Sequence, residues 1–275
     1  MAKISLAGWS LHWRFQRTEN PLTLLEFPRL AREEFGIAAI ELNSPFFLSE
    51  DDTYLAQLRA AANAEGVALL NIAVDREGDL AATDHTERQE AIQRHSRWFA
   101  IARKLGCNAI RANAGGHGTA VTDEAIERCA DSFAALAAIG AQEGVKVLIE
   151  NHGGISADPD AVVRIMEIVD SPWIGTLPDF GNFNDAIRYE GLAKIAPYAH
   201  AVHAKTFDFD EHGEHPHFDV GRCVHIMLDA GYDGYFGIEY EGKGDDHQGV
   251  LLTKALLERY LGMEQGLGLG RETSA

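Results

Sequence analysis

Four residues of this chain are of types that bind cations or move protons, and each closes or follows a short apolar run. Glu150 lies in LIENHGG, Asp179 in TLPDFGNF, His203 in AVHAK and Glu239 in GIEYEG. Carboxylates gathered at one place repel each other and take up protons unless a cation lies among them. Oxygen ligands with one imidazole resolve that conflict. Such a set suits Mg²⁺ or Mn²⁺, and the imidazole admits Mn²⁺ or Co²⁺. The competing reading, an unrelated polar residue at an element end, is ordinary for one such position but not for four in succession.

The elements that would position these residues alternate short apolar, β-branched runs with longer amphipathic stretches, the pattern of a parallel α/β fold. Eight strands are predicted: Ile4–Gly8, Ala38–Leu42, Ala68–Ala73, Ala109–Ala112, Lys146–Glu150, Ile174–Pro178, Ala199–His203 and Tyr235–Glu239. The clearest helices between them are Leu24–Phe35, Tyr54–Glu65, Glu87–Leu105 and Asp123–Gln142, with apolar residues at i, i+3, i+4. Pro21, Gly36, Gly66 and the pair Asp158-Pro159 mark helix boundaries. Eight βα units fit an open doubly wound sheet or a closed barrel. The strand number and the lack of an interrupting domain favour a single-domain (β/α)8 TIM barrel over residues 3–265, with a flexible tail over 266–275. In such barrels the active site lies at the C-terminal ends of the strands, where all four residues fall.

Composition agrees. The 275 residues suit one barrel, which takes about 250. A formal charge of −18, from 42 acidic and 24 basic residues, repels phosphate backbones and anionic lipid, so neither nucleic acid nor membrane is the expected partner. Cys107, Cys129 and Cys223 are scattered without metal-site or disulfide spacing and read as reduced thiols. Met1–Trp13 lacks the pattern of a secretory signal, and the expectation is a soluble, cytoplasmic protein.

The series IENHGG, DFGN, VHAK and GYDGYFGIEYEG resembles the sugar isomerase/epimerase group of the xylose-isomerase-like barrels, among them ketose 3-epimerases, hydroxypyruvate isomerase and inosose dehydratase. The likeness runs over nearly the whole chain and is specific mainly from Glu150 to Glu241. It implies one divalent ion, Mn²⁺ first and Mg²⁺, Co²⁺ or Zn²⁺ next, held by Glu150, Asp179, His203 and Glu239. It also implies that Glu150 and Glu239 transfer protons, through an enediolate that the metal stabilises. Return of the proton to the opposite face gives an epimer, and return to the neighbouring carbon an isomer. Loss of a β-hydroxyl makes the protein a keto-sugar or inosose dehydratase. A homo-oligomer is open on the resemblance alone. One departure is Asn182, where related epimerases often carry His; it hydrogen-bonds a hydroxyl but does not titrate.

Further candidates for substrate contact come from the remaining strand ends. Trp9 and His12 follow strand one and Glu41 strand two; Arg111 and Asn113 follow strand four. Packing for Trp9 and a Glu41–Arg111 ion pair at the mouth are the structural alternatives. His152 either orients Glu150 or touches substrate, and Lys205 either polarises a carbonyl or is solvated. In the polar segment DFDEHGEHPHFDVGR, His217 and Arg222 are read as reaching over the ligand from a covering loop, against a plain solvated loop. Endonuclease IV shares the fold and ligand set, but strands three and four here run into Val74-Asp75 and Asn113-Ala114 without the extra His it needs. A non-catalytic sugar-binding barrel is the remaining rival.

Overall fold

The computed structural model describes residues 3–116 and 118–263, so the tail expected at 266–275 lies outside the described residues. Eight parallel strands form one sheet: β1 (Lys3–Ala7), β2 (Ala39–Asn43), β3 (Ala68–Ala73), β4 (Ala109–Ala112), β5 (Lys146–Glu150), β6 (Ile174–Leu177), β7 (Val202–Thr206) and β8 (Tyr235–Tyr240). The helices are α1 (His12–Phe15), α2 (Phe27–Phe35), α3 (Asp52–Ala64), α4 (His85–Leu105), α5 (Asp123–Glu143), α6 (Pro159–Val169), α7 (Arg188–Ile195), α8 (Val220–Asp229) and α9 (Asp246–Tyr260). Neighbouring strands pair in chain order, and β1 pairs with β8. The ring closes between β6 and β7 through Thr176↔Ala199 and Asp179↔His203 bridges, so this is the (β/α)8 TIM barrel the sequence predicts.

Local chemistry explains the elements. In α5, Ile126, Cys129, Ala130, Phe133, Leu136 and Ala137 form the 3.6-period stripe that is buried. Full burial of a side chain such as Phe99 or Phe133 contributes about 1.5–3 kcal/mol each. Helix starts are capped by side-chain oxygens: Asp51 accepts from the Tyr54 N–H at 2.8 Å, Asp84 from Glu87 at 2.9 Å and Asp219 from Arg222 at 2.8 Å. Each such cap stabilises by about 1 kcal/mol. Among the described residues the three cysteines are free and buried, and no helix is long and apolar enough to cross a membrane.

One strand differs from expectation. β7 starts at Val202, not Ala199, because a 3-10 turn at Ala196–Tyr198 delays entry into the sheet. His203 is therefore the second residue of β7 rather than its last. Lys205 lies two residues on, on the same face of the strand.

Candidate metal centre and its cleft

Glu150 is the last residue of β5, Asp179 lies two residues beyond β6, and His203 and Glu239 lie on β7 and β8. All four are buried, and one ligand atom from each lies within 4.8 Å of the others. His203 Nδ1 is 3.4 Å from Glu150 Oε1, 3.5 Å from Glu239 Oε1 and 4.0 Å from Asp179 Oδ2. Bonds of about 2.1 Å to one octahedral cation place adjacent ligand atoms about 3 Å apart and opposite ones about 4.2 Å apart. The set thus needs only slight contraction. Asp179 Oδ2 and His203 Nδ1 are buried without a hydrogen-bond partner, an expensive state that a cation between them would relieve. The residues fit a divalent ion.

Each ligand is held from behind. Asp179 Oδ1 accepts the N–H groups of Gly181 and Asn182, both at 2.8 Å, which turns Oδ2 inward. The side chain of Asn151 clamps the Asp179 backbone, accepting its N–H at 2.7 Å and donating to its carbonyl at 3.0 Å. The two glutamates share a pattern, with Oε1 turned to His203 and Oε2 facing a buried cation. Arg111 Nε lies 2.9 Å from Glu150 Oε2, and Lys205 Nζ 2.9 Å from Glu239 Oε2. His203 Nε2 is 2.9 Å from Glu41 Oε2 on the opposite side of the ring.

The electrostatics follow. Burial works against ionising Glu150, but Arg111 and then His203 outweigh it and hold its carboxyl well below the usual range. Burial likewise opposes ionisation of Glu239, and Lys205 with His203 prevails there. Asp179 goes the other way: burial, with Glu239 and Glu150 nearby, pushes its carboxyl up despite Lys205. Lys205 itself stays firmly protonated, because Asp179, Glu239 and Glu241 overcome its burial.

Above this cluster opens a cleft of about 830 Å³, whose walls include Trp9, His12, Arg111, Asn113, His152 and Glu239. Trp9 stacks on His12 at 5.1 Å and on Phe46 at 5.8 Å, both at an interplanar angle of 13°. Asn182 lies in the cluster, donating to Glu150 Oε1 at 3.3 Å and accepting from Lys205 at 3.0 Å. Lys205 is buried, which excludes the solvated alternative.

Three candidates are placed elsewhere. Glu41 sits beneath His203 and accepts from Ser5 and Asn71; the alternative of an ion pair with Arg111 does not form either, because Arg111 is taken by Glu150 and by Asp75 at 2.8 Å. His217 is exposed and pairs with Asp208 at 3.5 Å, and Arg222 stacks over Tyr189 at 3.9 Å. Neither lines the cleft, because their segment is anchored to the outer helices. Tyr260 of α9 donates to Glu214, and Tyr189 of α7 accepts from the Asp219 N–H. Sequence reasoning missed Asp75, Trp13 and Glu241, which line the cleft, and Asn151 behind it. Glu241 carried a usable signal, being two residues beyond Glu239; Trp13 stands on the single-turn helix α1, too short to show a period, and Asp75 and Asn151 stand on loops.

The description xylose isomerase-like TIM barrel is that of the family model matching residues 29–260. The chain's fold resembles a solved L-ribulose 3-epimerase, with a TM-score of 0.79 and 17% identity over 96% of this chain and 95% of that one. It also resembles a xylose isomerase-like TIM barrel protein from Mycobacterium smegmatis in complex with magnesium, with a TM-score of 0.71 and 18% identity over 95% of this chain and 97% of that one. A local match of 38% identity over 61 residues joins it to the C-glycoside deglycosidase alpha subunit of Arthrobacter globiformis. That match spans 22% of this chain and only 17% of the relative's length. With the matching model running from α2 to the end of α9, well over half of the sequence, the chain belongs to the xylose isomerase-like TIM barrel family.

Proposed function

We propose that this chain is a divalent-metal-dependent isomerase or epimerase of a sugar or related hydroxy-carbonyl compound, with Glu150 and Glu239 exchanging a proton on the carbon beside the carbonyl. The observation that carries this reading is the matched pair of glutamates, each with one oxygen turned toward His203 Nδ1 and the other against a buried cation. Glu150, Asp179, His203 and Glu239 would hold the ion, which when bound supplies Lewis-acid polarisation of the substrate's oxygens. Mn²⁺ is the expected ion, with Mg²⁺, Co²⁺ or Zn²⁺ as alternatives; the magnesium complex of the mycobacterial neighbour supports a divalent cation.

A general base must be ionised before it accepts a proton. Arg111 and Lys205 keep Glu150 and Glu239 in that form. Asn113 and His152 offer polar groups to substrate hydroxyls, and the stacked Trp9 and His12 rings offer a flat face to the apolar side of a sugar. The substrate class is a small molecule rather than nucleic acid or a membrane, and the cytoplasm is the matching location.

A second reading is a lyase, in which the same deprotonation expels a β-substituent. The local match to a deglycosidase subunit favours keeping it. One experiment tests both. Protein loaded with Mn²⁺ or Co²⁺ is incubated in D₂O with ketoses, keto-inositols and keto-glycosides, and NMR follows deuterium entry beside the carbonyl. The parent should exchange, and Glu150→Gln or Glu239→Gln should slow exchange by about 10²–10⁴-fold. An epimeric product supports the first reading and an eliminated one the second. Exchange at the parent rate in both variants would sink both.

A further inference from the structure

Glu41 is a buried carboxylate that plays no part in the reaction as described, and among the described residues no Lys or Arg ion-pairs with it. It lies on β2 and reaches into the barrel beneath the proposed centre. Its partners are Ser5 Oγ at 2.6 Å, Asn71 Nδ2 at 2.8 Å and His203 Nε2 at 2.9 Å. Space for it is reserved by β8, because a Cβ on Gly237 would come within 2.2 Å of Glu41 Oε1. Any side chain at position 237 would displace the carboxylate.

We infer that Glu41 is a positioning residue for the metal centre, holding the His203 ring so that Nδ1, not Nε2, faces the cation. An imidazole that donates one N–H offers only its other nitrogen as a ligand, and a carboxylate at the donating side fixes that choice and raises the ring's basicity. His203 Nδ1 is the nitrogen facing Glu150, Asp179 and Glu239. Ser5 and Asn71 supply neutral donors only, so the Glu41 charge is balanced through the ring by whatever positive charge lies beyond it. Cation affinity and the Glu41 charge are then coupled, although the two are never in contact. Gly237, the cross-strand partner of His203, belongs to the same device: it preserves the room that Glu41 needs, and an added Cβ would also stand 3.1 Å from His203 Cδ2. The inference rests on the metal-centre reading above.

The test uses the full chain stripped of metal and titrated with Co²⁺ alone, in competition with a chelating dye. Binding constants, the visible Co²⁺ absorption band and the metal-free melting temperature are recorded. Glu41→Gln keeps the side-chain shape and an acceptor for His203 but removes the charge; it should weaken Co²⁺ binding about 10–100-fold and alter the band. Gly237→Ala should weaken it likewise, and serves if the first variant does not fold. Asn71→Leu removes a partner of Glu41 but leaves the His203 contact, so it should lower stability while leaving the band in place. A folded Glu41→Gln protein with parent-like affinity and band would overturn the inference and leave the metal centre standing. A parent that takes up no Co²⁺ would overturn both.

Discussion

Asp179→Asn should change sign with metal. In the metal-free protein Asp179 Oδ2 is buried with no hydrogen-bond donor, and the nearest cation, Lys205 at 3.7 Å, is shared with Glu239 at 2.9 Å and Glu241 at 3.3 Å. Asparagine keeps the Oδ1 acceptor for Gly181 and Asn182 and places an NH₂ toward the glutamate oxygens. Removing one poorly compensated buried charge in this way should stabilise the metal-free fold by about 2 kcal/mol. For a chain of this size 1 kcal/mol shifts the melting temperature by about 2 °C, so the gain is about 4 °C. With metal at a hundredfold excess over Kd the parent gains about 2.7 kcal/mol, or about 5 °C, whereas the variant has lost a ligand and gains little. Calorimetry in EDTA should therefore rank the variant above the parent, and calorimetry in Mn²⁺ should bring the parent level or ahead. Folding raises the Asp179 carboxyl above its ordinary value, so its ionised form opposes folding once pH exceeds the folded pKa. The advantage of the variant in EDTA should shrink as pH falls toward the ordinary Asp value of about 3.9. A variant that melts below the parent in EDTA, or a metal increment equal in both proteins, would refute the reasoning.

Two other positions test the frame around the centre. Gly154 has φ +55°, and an added Cβ would stand 2.4 Å from the Gly116 carbonyl oxygen. Gly154→Ala should cost about 2–3 kcal/mol, read as a lower urea midpoint at unchanged m-value. His95 is buried in α4 and its pKa is depressed, first by burial, against a partly opposing bond to the Ala91 carbonyl. A His neutral in the fold and charged when unfolded costs stability as pH falls below its ordinary value of about 6.5. Melting temperatures of His95→Leu should accordingly fall less than the parent's between about pH 7.5 and pH 5; equal declines would remove His95 as the cause.

What the sequence made legible was what it encodes locally. A carboxylate or imidazole interrupting an apolar strand is conspicuous, and Glu150, Asp179, His203 and Glu239 all meet in space as that signal implies. Helix spans follow from apolar periodicity: α4 and α5 match their predicted spans to within two residues, whereas α2 starts at Phe27 rather than Leu24. The sequence places β7 three residues early because Ala199 and Ala201 continue the alternation into Val202 with only His200 between them, and only the turn ahead shows otherwise. His217 and Arg222 follow the right strand for the active-site face, yet topology does not fix the direction a long loop takes; Tyr260 and Tyr189 draw this one outward. Glu41 and Asn151 act through partners 162 and 28 residues away, a distance over which no periodicity speaks.

The seam between β6 and β7 divides the ligand set evenly. Glu150 and Asp179 arrive on the β5–β6 side, His203 and Glu239 on the β7–β8 side, and a backbone bridge from Asp179 to His203 joins them. Neither half of the barrel carries the centre alone. A chain broken between β6 and β7 would separate it into two incomplete pairs, so cation binding at the proposed centre would double as a report that the ring has closed. A bound ion would act as a rivet across the junction where, among the described residues, the hydrogen-bonded ladder thins to isolated bridges, tying the folding of the last quarter of the chain to the chemistry of the whole.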